Sequence, residues 1–222
     1  MQYLFSEQAS QATLVLRGDE HRYLFKVRRH REGEVIALRN LEDDFIYFYK
    51  ISTLNKKEAL LSLERSEKLE VKAKRNLHLA WCVIDPKSVE KVLPTLNEMG
   101  VEQITFIYCS RSQKSFKLDF KRLEKILLNS SQQCGRSSLM KLELNHSLET
   151  FLEQYPQTVM INFSETFLEK NATIDTVLIG CEGGFTVEEM ALFSKEKIVG
   201  LDTPLILKSE SAVCAVATKL LI

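Results

Sequence analysis

The chain has 222 residues, 45% hydrophobic and 27% charged, an ordinary globular composition that excludes disorder, collagen and coiled coil. Thirty basic and thirty acidic residues give a formal net charge of +0, so no chain-wide field draws it to nucleic acid or membrane; any such pull must be local. Met1 to Ser10 carry acid and no basic leader pattern, and no apolar run nears the roughly 20 residues that cross a bilayer, which predicts a cytoplasmic protein with no membrane partner.

In chain order, Gln2 to Phe5, Thr13 to Leu16, Val35 to Leu38, Phe45 to Ile51 and Ala59 to Leu63 read as short strands with turn residues between them, the spacing of a small β barrel or sandwich. Tyr23, Leu24 and Val27 sit at helical spacing, so one or two helical turns are expected within Asp19 to Val27. Arg65 to Arg75 is polar and without apolar period, a candidate linker. Beyond it the rhythm changes. Leu77 to Ile84 is a continuous apolar strand, and Pro86 opens a helix that carries Val89, Val92, Leu93 and Leu96 on one face and stops at Gly100. Gln103 to Tyr108 is a strand and Asp119 to Gln133 a helix; Thr158 to Phe163 and Thr176 to Ile179 are buried strands; helices follow from about Val187 to Phe193 and from about Glu210. Strands alternating with helices predict a mostly parallel sheet covered on both faces. The expected architecture is thus α/β, with a small β domain over residues 1–68 and an α/β domain over 69–222.

Charge is unevenly spread. Residues 108–141 hold Arg111, Lys114, Lys117, Lys121, Arg122, Lys125, Arg136 and Lys141 against Asp119 and Glu124, net +6, whereas 142–202 hold eleven acids against three lysines, net −8. A second basic cluster, Arg17, Arg22, Lys26, Arg28, Arg29 and Arg31, lies early. Two such clusters make either one footprint for a phosphate backbone or two solvated faces. Cys82, Cys109, Cys134, Cys181 and Cys214 are odd in number, far apart and without a C-x-x-C pair, which argues against disulfides and zinc and for a reducing compartment. His21, His30, His78 and His146 lack metal-ligand spacing, so no metal is expected.

Three of the eight glycines fall within five positions, in Ile179-Gly180-Cys181-Glu182-Gly183-Gly184-Phe185, directly after a buried strand and before a helix that starts with Thr186 and Glu189 in a capping-box pattern. Glycine permits close backbone approach, so the turn serves either a ligand or a tight strand-to-helix connection. In such sheets ligands bind beyond the carboxyl ends of the strands. A second unusual stretch runs from Leu201 through Pro204 to Ser209, then into a helix of small residues, Ala212, Cys214, Ala215 and Ala217, which allows close packing against that helix.

Together, I-G-x-E-G-G-F-T-x-x-E at 179–189 and P-L-I-L-K-S-E-S-A at 204–212 resemble the paired signature of the bacterial 16S rRNA uridine N3-methyltransferases, of the SPOUT class of S-adenosylmethionine-dependent enzymes. Leu96 to Val101 with Ser110-Arg111-Ser112, Ser131 to Ser137, and His21 to Arg28 match the same family in the same order. The resemblance implies a C-terminal knotted methyltransferase domain, a small N-terminal PUA-like β-barrel domain that docks RNA, and a homodimer. It implies S-adenosylmethionine as cofactor, held at Phe163 and Ser164, at Ile179, Gly180, Glu182, Gly183 and Gly184, and at Leu201, Thr203, Leu205, Ile206 and Leu207. It implies ribosomal RNA within the small subunit as partner, met by Arg22, Lys26, Arg28, Arg29, Arg111, Lys114 and Arg136. The chain departs from the family at Cys181, where proline is usual, at Leu205 and Lys208, where arginines are usual, at Ser211, usually threonine, and in the Leu-Asp-Thr approach to Pro204.

Methylation at N3 needs alignment of the base and removal of the N3 proton, so a carboxylate beside the cofactor loops is the expected base, and Glu210, at the start of the last helix, is the candidate. The same carboxylate could instead serve the helix dipole. Arg111 and Arg136 could stabilise charge on the uracil oxygens or hold phosphates. Two other readings stand beside this one: the same fold acting on another RNA base or a ribose, and a non-catalytic RNA-binding module.

Overall fold

Leu14 and Leu16 alternate with exposed neighbours in β2 (Thr13–Arg17), the period-two pattern of a strand with one face on a core. The computed structural model describes residues 1–170 and 172–222. They fall into two units, residues 1–72 with 131–138, and residues 73–130 with 139–222.

In the first unit β1 (Leu4–Phe5), β2, β3 (Val35–Arg39), β4 (Phe45–Leu54) and β5 (Glu58–Lys68) form one sheet in the order β1-β3-β4-β5-β2. The β1–β3 pairing is parallel and the rest antiparallel. Two register shifts in the long β4–β5 ribbon curl the sheet, because a bulge bends a strand and raises its twist. Leu14, Leu16, Ile36, Leu38, Tyr49, Ile51 and Leu61 meet inside the curl with Leu24. Leu24 comes from a π-helical turn (Tyr23–Val27) that continues α1 (Gly18–Arg22), the helical turns foreseen there. β5 runs on through Arg65 to Lys68, where the sequence suggests a linker; these polar residues pair with Phe45 to Phe48, and the Arg65 guanidinium lies 3.6 Å from the Phe48 ring centroid.

Residues 131–138 complete this unit. The amide of Tyr3 donates to the carbonyl of Gln132 (3.1 Å), the amide of Phe5 to the Gln132 side chain (2.8 Å), and the Tyr3 hydroxyl to the carbonyl of Arg136 (2.8 Å). Gly135 has φ +87°, and a Cβ there would sit 2.6 Å from the carbonyl oxygen of Met1, so glycine is required twice over.

The second unit is a six-stranded, wholly parallel sheet. Its strands are β6 (His78–Cys82), β7 (Gln103–Ile107), β8 (Lys141–Asn145), β9 (Val159–Ile161), β10 (Thr176–Ile179) and β11 (Ile198–Val199), in the order β11-β9-β10-β6-β7-β8. Every residue of the central β6 is buried, the continuous apolar pattern of a strand covered on both faces. Helices α2 (Pro86–Met99), α3 (Phe120–Cys134), α4 (Leu148–Gln154), α5 (Val187–Ala191) and α6 (Ser209–Leu221) connect or follow the strands. Asp85 caps α2 by accepting from the Ser88 amide (3.1 Å), Pro86 occupies its first turn, and Gly100 at φ +94° ends it. Burial pushes the His78 imidazole down to about 4, leaving a neutral ring against Phe151 and Tyr155 whose Nε2 lies 2.8 Å from Thr105 Oγ1.

β8 and α4 are absent from the sequence-based expectation. Lys-Leu-Glu-Leu-Asn lies at the sheet edge with mostly exposed side chains, so it lacks the apolar run that betrays a buried strand. The expectation of free thiols also needs correction, since Cys82 and Cys109 form a disulfide with Cα atoms 5.7 Å apart. Cys82 stands opposite Ile107 in the β6–β7 register, which puts Cys109 two residues beyond it and within reach; sequence spacing could not reveal that. Among the described residues no helix is long and apolar enough to cross a membrane, and no three His, Cys, Asp or Glu side chains gather as a metal site.

Candidate functional site

Three loops leave the carboxyl ends of β9, β10 and β11 and surround a cavity of about 630 Å³, within the range of small-molecule sites. Its wall comprises residues 161–164 with Phe167, residues 179–185, and residues 200, 201, 203, 205–209 and 212. Among the described residues the charged members of the wall are Glu182 and Lys208, so a ligand here meets mainly apolar side chains and backbone. Phe163, Leu205 and Ile206 are 81%, 72% and 82% exposed, which leaves bare apolar surface around the opening.

The glycine turn is held from beneath. The Ser209 hydroxyl, 5% exposed, donates to the carbonyl of Gly180 (2.5 Å) and accepts from the Trp81 indole N–H (2.8 Å). One hydrogen-bond chain therefore runs from the middle of β6 through the first residue of α6 to the turn after β10. Gly184 takes φ +66° and donates its amide to the carbonyl of Cys181 (2.9 Å), closing the turn. A Cβ on Gly180 would come within 3.1 Å of the Phe185 ring, and one on Gly200 within 2.7 Å of the carbonyl oxygen of Ser164. Gly200 thus permits a close passage of chain that any side chain would obstruct, while a side chain at Gly180 would have to push the Phe185 ring aside.

Glu189 ties a fourth loop to this turn. Thr186 and Glu189 form the expected capping box at the start of α5, with the Glu189 carboxylate accepting from the Thr186 amide (2.9 Å). Its other oxygen accepts from the Ser110 amide in the loop after β7 (2.7 Å). The adjoining Arg111 lays its stem against Gly183 and donates from Nη1 to the Gly183 carbonyl (2.7 Å). Glu189 is 5% exposed, so both of its acceptor positions are committed inside the protein. Glu189→Gln presents an amide N–H₂ to one of these two backbone N–H groups and leaves a buried donor unpaired, a cost of about 1–3 kcal/mol. The expected result is a thermal midpoint lowered by roughly 2–12 °C, with Glu188→Gln, at an exposed neighbour whose carboxylate is held low by a backbone amide and the Thr186 side chain, lowered less. Calorimetry of the two variants checks this, and a wild-type midpoint for Glu189→Gln would remove the clamp.

The twelve residues singled out for cofactor contact, Phe163, Ser164, Ile179, Gly180, Glu182, Gly183, Gly184, Leu201, Thr203, Leu205, Ile206 and Leu207, all line this one cavity. Arg111 adjoins it through Gly183. Glu210 follows the wall residue Ser209 and is half-buried, about 100° further round α6, on the same side of the helix as Cys214, whose thiol is pushed up by burial and then by the Glu210 charge. Arg136 lies in the first unit at 4% exposure, with its Nε 3.5 Å from Ser138 Oγ. Arg22, Lys26, Arg28 and Arg29 are exposed on the first unit, Arg28 donating to the Tyr23 hydroxyl (2.9 Å), while Lys114 is exposed on the second. His21 is buried with Nε2 3.0 Å from the Asn55 carbonyl. Sequence reasoning leaves Ile161, Asn162, Phe167 and Gly200 out of the wall, reads Phe185 only as part of the glycine motif, and misses the bonds that join Trp81 to Ser209 and Glu189 to Ser110. A glycine directly after an apolar pair, at Ile198-Val199-Gly200, was the available signal for one of them.

The family described as RNA methyltransferase domain matches residues 71–221, and the one described as RNA methyltransferase PUA domain matches residues 16–64. The ribosomal RNA small subunit methyltransferase E of Helicobacter pylori strain 26695 is 37% identical over 222 residues, covering 98% of each chain. Its counterpart in Aquifex aeolicus is 26% identical, covering 100% of this chain and 99% of that one. Among solved structures, the ribosomal RNA small subunit methyltransferase E of Neisseria gonorrhoeae, bound to S-adenosyl methionine, has a TM-score of 0.79 at 17% identity, covering 98% of this chain and 95% of that one. A Legionella pneumophila protein described as a methyltransferase and solved with bound SAM has a TM-score of 0.80 at 22% identity, covering 99% and 95%. At these identities the structural likeness shows the fold.

Proposed function

The chain belongs to the ribosomal RNA small subunit methyltransferase E family, and on that premise we propose that it methylates N3 of a uridine in 16S ribosomal RNA with S-adenosylmethionine as methyl donor. The observation that carries this reading is the cavity, ligand-sized, apolar at its mouth, bounded by glycine backbone and nearly free of charged walls. Those features suit an adenine recognised through backbone amides and carbonyls of residues 179–184 and 201–207 and covered by Phe163, Leu205, Ile206 and Leu207. When bound, S-adenosylmethionine supplies a methyl group already activated by its sulfonium charge.

The chain's own work is then to hold the uracil and take away its N3 proton. Glu210 accepts that proton on its carboxylate, and Arg111, fixed against the glycine turn, faces negative charge developing on the uracil oxygens. Residues 1–68 act as a PUA-like module that docks structured RNA through Arg22, Lys26, Arg28 and Arg29, with Lys114 adding a phosphate contact from the methyltransferase domain, residues 69–222. Arg136 stands behind that surface, seating the amino-terminal residues through its carbonyl. The cofactor loops are threaded as a trefoil knot, a reading supported by the tight passage of residues 164–168 across Gly200, whose N–H and C=O bond Thr166 and Leu168 at 2.8 Å each. The working form is a cytoplasmic homodimer that meets its RNA in the small ribosomal subunit.

The test is transfer of labelled methyl from S-adenosylmethionine to small subunits, and separately to bare 16S RNA, taken from cells that lack the gene, followed by nucleoside analysis. Label in 3-methyluridine is expected. Label in another base or a ribose would transfer the reading to a sister activity, and binding without label would make the chain a non-catalytic RNA module.

A further inference from the structure

At the far end of the same sheet, β7 and β8 run out into two loops that bring an aromatic pair to the surface. The Tyr108 and His146 rings lie parallel, 2° apart in plane with centroids 6.1 Å apart. The pair is fixed by backbone and by side chain. The Tyr108 amide donates to the Asn145 carbonyl (3.4 Å), and its hydroxyl donates to the Phe116 carbonyl (2.6 Å). The Asn145 side chain accepts from the Ser147 amide (3.2 Å) and the Thr150 hydroxyl (2.9 Å), setting the loop that carries His146. His146 itself is exposed and, among the described residues, its ring makes no hydrogen bond. Lys117 places its ammonium 5.4 Å from the Tyr108 ring centroid, and Lys114 is exposed on the same loop; among the described residues neither pairs with a carboxylate.

A rigid ring stack that leaves aromatic surface in water, with cations beside it, costs solvation and offers no folding gain on its outer side. A flat nucleobase with an adjoining phosphate satisfies both features. The position agrees with such a ligand. β8 is three strand spacings from β10, roughly 14 Å along the sheet edge that carries the cavity, a separation that neighbouring nucleotides of one strand can cover. Arg111, bonded to Gly183, occupies the interval.

We propose that Tyr108, His146 and Lys117 form a stacking platform for an unpaired base of the substrate RNA, a few nucleotides from the base that is methylated. The inference rests on the RNA methylation reading and adds to it a second point of contact that holds the target strand in register. His146 supplies the stacking face, Tyr108 sets its tilt, and Lys117 meets the phosphate beside the stacked base.

The test uses the full chain and short unpaired oligoribonucleotides centred on one uridine, with 2-aminopurine moved along the strand. Stacking on an aromatic ring quenches that fluorophore. In the wild type, one position displaced from the central uridine is expected to be quenched. His146→Ala should abolish the quenching and weaken RNA binding about 5- to 150-fold, the worth of one base–aromatic stack. His146→Phe should restore both. His146 is exposed, so an unchanged thermal midpoint confirms that folding is intact. Wild-type quenching and affinity in His146→Ala would overturn the platform while leaving methylation by the wild type untouched. Normal binding of bare RNA combined with weakened binding of the ribosomal subunit would also overturn it, in favour of a protein contact. An absence of wild-type binding to the oligoribonucleotides and to the ribosomal subunit alike would overturn the methylation reading itself.

Discussion

Replacing Glu210 by glutamine is expected to slow methyl transfer by about 10²–10⁴-fold, because the side chain keeps its size and hydrogen-bonding reach but can no longer accept the N3 proton. Binding of S-adenosylmethionine and RNA should be nearly unaffected, since Glu210 adjoins the cavity wall at Ser209 without being part of it. A carboxylate that merely complements the positive end of α6 behaves differently. Its loss costs about 0.3–1 kcal/mol of stability and leaves the rate alone. Single-turnover kinetics at saturating cofactor and RNA separate the two, because losses in binding then drop out. A near-normal rate would acquit Glu210 and leave solvent to remove the proton, with Arg111 stabilising the uracil anion.

The second large effect is expected at Gly183. A Cβ there would stand 3.1 Å from Arg111 Cβ and 3.3 Å from Cδ, closer than ordinary packing, and these atoms belong to the stem of a side chain tethered to the Gly183 carbonyl. Valine must therefore displace Arg111 or push the turn into the cavity. Overpacking of this kind costs about 1–3 kcal/mol, which becomes about 5- to 150-fold in the affinity for S-adenosylmethionine if the cavity bears the strain. Calorimetric titration of a variant shown by circular dichroism to be folded provides the measurement. Undiminished affinity would remove the glycine turn from the cofactor site.

Features written into short stretches are legible in the sequence alone. The apolar run of β6, the proline start and glycine stop of α2, and the crowded glycines before a Thr-x-x-Glu cap each declare a local geometry that tertiary context did not overrule. What escaped depends on partners distant in sequence. Glu189 reads as a cap residue, and its second bond, to Ser110, is 79 positions away. Arg65 to Lys68 look like a linker until β4 is laid beside them. β8 hides because an edge strand need not be apolar. The wall of the cavity is legible where it follows the motifs at 179–189 and 204–212 and the loop at Phe163 and Ser164; Phe167 and Gly200 join it through folding of the loops and carry no shared motif.

The seating of residues 131–138 among the amino-terminal strands has a consequence for how the molecule is made. Tyr3, Phe5 and Val71 send backbone amides to Gln132 and Ser137, so the first sheet remains short of partners while only the first seventy-odd residues have left the ribosome. Domains generally mature in the order of synthesis. Here the earlier one waits for a late segment, and α3 must be threaded out before the amino terminus can settle. The chain thus ties the birth of its amino-terminal module to that of the catalytic one, and a nascent product that stops short of residue 138 leaves neither finished.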